Sequence, residues 1–232
     1  MVETELSARI QTILDRMAQA AARGGRSLSD VTLLAVSKTK PLEMIVEAAR
    51  SGLVTHFGEN RVQECQKKIP AFPADLSQVR WHLIGHLQRN KARKAIELVN
   101  IIESVDSQEI ASVLERICTE KEKHMEILIE VNSSGEVSKT GTPMADVPAL
   151  ADFVRGSCPH LDLRGLMTIG PLDGDEKAVR DAFDRTRELR DRLKTSSDDL
   201  PLLSMGMSGD FEWAIEQGST EVRVGTAIFG NR

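Results

Sequence analysis

Apolar residues recur at steps of three and four near the start of the chain, then in short β-branched runs separated by mixed segments. Leu6, Ile10, Ile13, Leu14 and Met17 share one face of a helix predicted between Val2 and Ala22. Gly24 and Gly25 end it. Eight strands follow: VTLLAVSK (Val31 to Lys38), THFGEN (Thr55 to Asn60), RWHLIG (Arg80 to Gly85), IIESVD (Ile101 to Asp106), MEILIEVN (Met125 to Asn132), LDLRGLMTIG (Leu161 to Gly170), LLSMGMS (Leu202 to Ser208) and EVRVGTAIFG (Glu221 to Gly230). Each neighbouring pair is separated by one helical pattern, such as the segment opened by Pro41 or the charged stretch from Asp175 to Lys194. Eight strands alternating with helices give an α/β chain with the count of a single (β/α)₈ TIM barrel. No linker or repeat divides residues 1–232, so one domain is expected. The eighth strand is predicted to run almost to the last residue. The opening helix is therefore expected to cover the place of an eighth helix.

Length agrees with that count: 232 residues fall in the roughly 200–250 that such a barrel uses whole. No apolar run approaches the roughly 18 residues of a membrane-spanning helix, and MVETELSARI has no secretory pattern. Cys65, Cys118 and Cys158 lie far apart, which fits a reducing cytoplasm and argues against a zinc cluster. A net charge of −5 argues against nucleic-acid binding through a basic surface. There is no tyrosine, so no mechanism can draw a phenol from these residues.

Barrels of this kind place chemistry at the carboxyl ends of their strands. The polar residues there are Lys38, Asn60, His82, His86, Lys139, Ser208, Arg223 and Thr226. Strand alternation puts Leu34, Val36 and Lys38 on one face, which brings an amine to the barrel mouth from inside. A desolvated lysine is nucleophilic toward carbonyls. Position alone also describes, and more often means, a lysine that snorkels to solvent. SMGMSGD and RVGTAIFG put Ser208 at the end of strand seven and Gly225 and Thr226 on strand eight, and the loops after these two strands are where this fold habitually cradles phosphate. Arg223 shares a face with Gly225 and would lie deeper, as a permanent donor for a ring nitrogen or as a structural partner of a carboxylate. His82 and His86 lie on a strand and turn without the spacing of a helical metal pair, and no metal is expected. Lys139, in a polar loop, either reaches the mouth or stays at the surface.

LLAVSKTKP, FGENRVQE, WHLIGHLQRNK, SGEVSKTG, RGLMTIG, LSMGMSGDFEWAI and VRVGTAIFG, in this order from residue 33 to residue 230, resemble the pyridoxal-phosphate homeostasis proteins. The resemblance implies a fold-type III barrel similar to the barrel domain of alanine racemase, with pyridoxal 5′-phosphate held by Lys38 as a Schiff base. It further implies Arg223 at the pyridine nitrogen, and Ser208, Gly225 and Thr226 on the phosphate. Asn60 and His82 would lie around the ring, with Lys139 toward its 3-hydroxyl side. Two departures from the racemase pattern stand out: the second domain is missing, and so is the tyrosine that serves there as an acid/base group. These favour a non-catalytic carrier or buffer of the cofactor in vitamin B6 homeostasis. Such a protein would be a cytoplasmic monomer with pyridoxal-phosphate-dependent enzymes as recipients. The alternatives are a low-activity amino-acid racemase and a barrel enzyme using Lys38 on a sugar-phosphate carbonyl.

Overall fold

The computed structural model describes residues 4–134, 140–171, 174–196 and 198–230. The first helix, α1 (Glu5–Arg23), starts at Thr4, whose hydroxyl accepts the Ser7 N–H in a reciprocal capping box. It buries Leu6, Ile10, Ile13 and Met17 along the predicted face. The strands are β1 (Thr32–Val36), β2 (His56–Glu59), β3 (Arg80–Leu83), β4 (Ile101–Val105), β5 (Met125–Asn132), β6 (Thr142–Pro143), β7 (Leu161–Thr168), β8 (Leu202–Met207) and β9 (Glu221–Val224). Helices α2 (Leu42–Arg50), α3 (Val62–Lys68), α4 (Ala92–Leu98), α5 (Gln108–Glu120), α6 (Val147–Ser157), α7 (Glu176–Leu193) and α8 (Phe211–Glu216) connect them. The ring runs β4-β3-β2-β1-β9-β8-β7-β5 and closes through a β4–β5 pairing. Every pairing is parallel, and the short β6 extends the end of β5. This is the expected eight-stranded barrel with one small strand added.

One prediction is corrected. The eighth predicted strand ends at Val224 rather than Gly230, and a short helix, α9 (Thr226–Phe229), follows it. Thr226 therefore opens a helix instead of lying on a strand. The reason is local: Gly225 leaves the strand with φ −117° and ψ −72°, after which Ile228 and Phe229 bond back to its carbonyl. The opening helix packs against both α8 and α9. Arg16 pairs there with Glu212 at 3.2 Å and stacks over Phe211.

Two cores result. The larger lies between the strands and the helices, and takes Leu33, Ala35, Phe57, Ile102, Ile127 and Leu166 from the outward faces of the strands. The smaller, inside the barrel, is built on Ile101, Leu128 and Met167. Much of the remaining interior is polar, which directs attention to the mouth above it.

Candidate functional site

At the carboxyl ends of β1, β8 and β9 lies a cavity of about 420 Å³, lined by Lys38, Lys40, Met207, Ser208, Arg223, Gly225 and Thr226 among others. Its volume is ordinary for a small-molecule site. Five of the residues singled out from sequence meet here: Lys38, Ser208, Arg223, Gly225 and Thr226. Lys38 is half-buried, two residues beyond the end of β1. Leu34, below it on the same strand, is fully buried and faces Gly58, where a Cβ would fall 2.7 Å from the Leu34 Cδ2.

Arg223 is only 4 % exposed. One terminal nitrogen donates to the Ser204 carbonyl and to Ser204 Oγ, each at 2.7 Å, and the other donates to the Thr168 carbonyl at 2.7 Å. A guanidinium has five N–H groups, so two are left without an acceptor among the described residues. The cavity wall therefore offers a fixed cation with unused donors. On the same cavity, the Gly225 N–H donates to Ser208 Oγ at 3.4 Å, a long contact that leaves the hydroxyl hydrogen available to an anion. The backbone at Gly225 runs close to β1, since a Cβ there would lie a tight 3.1 Å from the Val36 carbonyl oxygen.

Beneath the cavity a hydrogen-bonded chain crosses the barrel. Ser204 Oγ donates to Glu103 at 2.7 Å, His82 Nδ1 lies 2.6 Å from the other Glu103 oxygen, and His56 Nδ1 lies 2.9 Å from His82 Nε2. Burial drives His56 down to about 4, assisted by His82 and Arg80, so this ring is neutral. Burial alone would raise Glu103, but its bonds to His82 and Ser204 and the Arg223 charge hold it below the usual carboxylate range. Glu221, buried beside it, is pushed well above that range by burial and by the Glu103 charge. The proton of this carboxyl pair thus resides on Glu221. His56, His82 and Glu221 are close enough to resemble a metal-ligand set, yet the two rings are hydrogen-bonded to each other.

A second polar cluster holds the loop that carries Lys38. Lys68 Nζ donates to the Ser37 carbonyl at 2.8 Å, to Glu59 at 2.7 Å and to Glu64 at 2.9 Å. Ser37 Oγ donates to Glu59 at 2.7 Å, and the Thr39 N–H donates to Glu64 at 2.6 Å. Burial raises Glu59 despite Lys68 and Ser37. Glu64 is lowered: the Thr39 N–H and Lys68 outweigh the burial that would raise it.

The other predicted residues are placed differently. His82 is 2 % exposed and lies in the interior chain, below the cavity rather than on its wall. Asn60 belongs to a neighbouring, larger cavity of about 700 Å³ with Arg61, Lys67, His86 and Lys91, which contains neither Lys38 nor Arg223. Its side-chain oxygen is buried and has no hydrogen-bond partner. His86 is exposed and stands 3.3 Å from Asp106. Lys139 lies outside the described residues. Sequence reading missed Glu59, Lys68, Glu103, Ser204 and Glu221. A signal existed for Glu103, Ser204 and Glu221, which interrupt apolar strands at inward positions. None existed for Lys68, whose helix looks like any solvated one.

The chain resembles known proteins over nearly all of its length. Residues 10–232 match the family described as alanine racemase, N-terminal domain. The pyridoxal phosphate homeostasis protein of Vibrio cholerae is 43% identical over 225 residues, covering 96% of this chain and 94% of that one. The human protein of the same name is 37% identical, covering 96% and 85%. PipY of Synechococcus elongatus, solved with PLP bound, superposes with a TM-score of 0.80 at 36% identity, covering 94% of this chain and all of that one. Alanine racemase of Corynebacterium glutamicum shares the fold, with a TM-score of 0.69 at 14% identity over 96% of this chain and 62% of the racemase. The chain belongs to the pyridoxal phosphate homeostasis proteins, within the family of the alanine racemase N-terminal domain.

Proposed function

We propose that this chain binds pyridoxal 5′-phosphate at the cavity between β1, β8 and β9 and acts as its carrier or buffer in intracellular vitamin B6 homeostasis. The observation that carries this reading is the meeting of Lys38, Ser208, Arg223, Gly225 and Thr226 around one cavity. The cofactor would bring an aldehyde, a ring nitrogen and a phosphate, and the cavity has a complement for each. Lys38 Nζ adds to the aldehyde carbon and the oxygen leaves as water, which closes a Schiff base. The unused N–H groups of Arg223 serve the ring nitrogen, and Ser208, Gly225 and Thr226 hold the phosphate. Asn60 and His82 support the ring from beyond the cavity wall, and the resemblance assigns Lys139 to its 3-hydroxyl side.

An arginine at the ring nitrogen has no proton to hand over, which weakens the ring as an electron sink. With no tyrosine in the chain, the second acid/base group of a racemase has no counterpart. We therefore read the protein as a non-catalytic, cytoplasmic, monomeric binder that serves pyridoxal-phosphate-dependent enzymes. A low-activity racemase is the competing reading, and the shared barrel fold does not choose between them. Relatives bearing the homeostasis name favour the binder.

The test is borohydride reduction of protein loaded with pyridoxal phosphate, followed by peptide mass mapping. The pyridoxyl group is expected on Lys38. An adduct only on Lys139 or Lys40 would overturn the assignment.

A further inference from the structure

We infer that Lys68, with Glu59 and Glu64, is a positioning device for Lys38, fixing the backbone on both sides of it so that its amine meets the ligand aldehyde already aimed. This rests on the reading of Lys38 as the Schiff-base residue.

Ser37 precedes Lys38 and Thr39 follows it, and each is held by a different carboxylate. The hydroxyl of Ser37 is bound to Glu59 and its carbonyl to the Lys68 ammonium. The N–H of Thr39 is bound to Glu64. Lys68 joins the two carboxylates, since its Nζ bonds Glu59 and Glu64 as well as the Ser37 carbonyl. Those three bonds use all three ammonium hydrogens. Lys68 thus has nothing left to offer a ligand, and its side chain is only 10% exposed. Its role is carried out through the loop.

The backbone shows what this holding accomplishes. Thr39 has φ +63°, a left-handed conformation that a β-branched residue rarely adopts without external support. The bond from its N–H to Glu64 is such a support. Farther along, Lys40 Nζ donates to the Gly230 carbonyl at 2.9 Å, which ties the same loop to the end of β9's connection. Lys38 is the residue between these clamps, and its side chain opens onto the cavity. Orienting a nucleophile before its partner arrives removes an entropic cost from the covalent step rather than from binding. The cluster should therefore govern how fast the Schiff base forms, while the phosphate sets how tightly the ligand is held.

The experiment separates those two quantities. Imine formation is followed by stopped-flow absorbance at saturating pyridoxal phosphate in wild type, Lys68→Met, Glu64→Ala and Glu64→Gln, normalised to folded protein by circular dichroism. Non-covalent affinity is measured with 4′-deoxypyridoxine 5′-phosphate, which keeps the phosphate and ring but has no aldehyde. Lys68→Met and Glu64→Ala should slow imine formation about tenfold or more and change the affinity for the analogue by less than about twofold. Glu64→Gln, which retains an oxygen for the Thr39 N–H, should recover most of the rate. If Lys68→Met does not fold, the Glu64 pair decides alone. Wild-type rates in Glu64→Ala, or equal losses of rate and analogue affinity, would overturn the inference. Borohydride mapping of wild type distinguishes the two readings. An adduct on another lysine overturns both, whereas an adduct on Lys38 with unchanged rates in the variants overturns only this one.

Discussion

On the proposed function, Ser208 is the hydroxyl that chooses between a phosphorylated ligand and an unphosphorylated one. Its oxygen accepts the Gly225 N–H at 3.4 Å, so its own hydrogen is free to point into the cavity. Ser208→Ala should weaken pyridoxal phosphate by about 1.5–3 kcal/mol, the scale of a hydrogen bond to a charged group. Unphosphorylated pyridoxal should hardly be affected. Titration of both ligands checks this, and equal weakening would count against a phosphate role. At this scale the sequence was informative where a residue's chemistry is local. Lys38 and Ser208 sit at strand ends, and those ends can be read from apolar runs, whereas Gly225 and Thr226 were expected on a strand that ends at Val224. Lys68 could not be found in this way, because its three partners come from β2, the β1–α2 loop and its own helix. Only the closed barrel brings them together.

The strands carry a second kind of information in their inward positions. β3, β4, β8 and β9 place His82, Glu103, Ser204, Glu221 and Arg223 inside the barrel, where an unpaired charge would be very costly. Each polar residue in these apolar runs was visible in the sequence, but its partner across the barrel was not. The two buried carboxyls are pushed in opposite directions, Glu103 below the ordinary carboxylate range and Glu221 well above it, so Glu221 is the one that keeps its proton to the higher pH. Glutamine mimics a protonated carboxyl, so Glu221→Gln should cost less than about 1 kcal/mol near neutrality. Glu103→Gln breaks a buried charged network and should cost about 3–5 kcal/mol. The pH dependences differ in sign. The folded-state value of Glu221 is raised, so its favourable contribution is present below the ordinary carboxylate value and is lost as pH rises through the raised one. Glu103 is lowered, so its contribution is present above the ordinary value and is lost as pH falls. Urea unfolding at pH 5 and pH 8 should show Glu221→Gln gaining on wild type at the higher pH. A variant that instead lost ground there would contradict the protonated Glu221. The misreading of α9 as strand has a related origin. AIF is as apolar as a strand, and only the turn at Gly225 with the bonds back to its carbonyl makes it helical.

For the molecule as a whole, the barrel count was legible because strand and helix patterns alternate without interruption, and closure is the way eight such units bury both faces of the sheet. That architecture alone does not fix an activity, since a racemase barrel and this one superpose at 14% identity. On the proposed function, the difference lies in the supply of acid/base groups. Racemisation takes a proton from one face of a substrate Cα and returns one to the other face, which calls for two such groups. Lys38 is one candidate, and no tyrosine exists in this chain to be the second. His82 cannot replace it from its present position, because it is buried in the interior chain with both ring nitrogens engaged by Glu103 and His56. A general acid/base group contributes roughly 10²–10⁴-fold, so protein fully loaded with pyridoxal phosphate should show at most a slow residual racemisation. The measurement is turnover of several L-amino acids by loaded protein, with Lys38→Ala as the blank. Rates in the ordinary enzyme range of roughly 1–10³ s⁻¹ would show that another group supplies the second proton. Lys139 would then be the first lysine to mutate, and the carrier reading would give way to an enzymatic one.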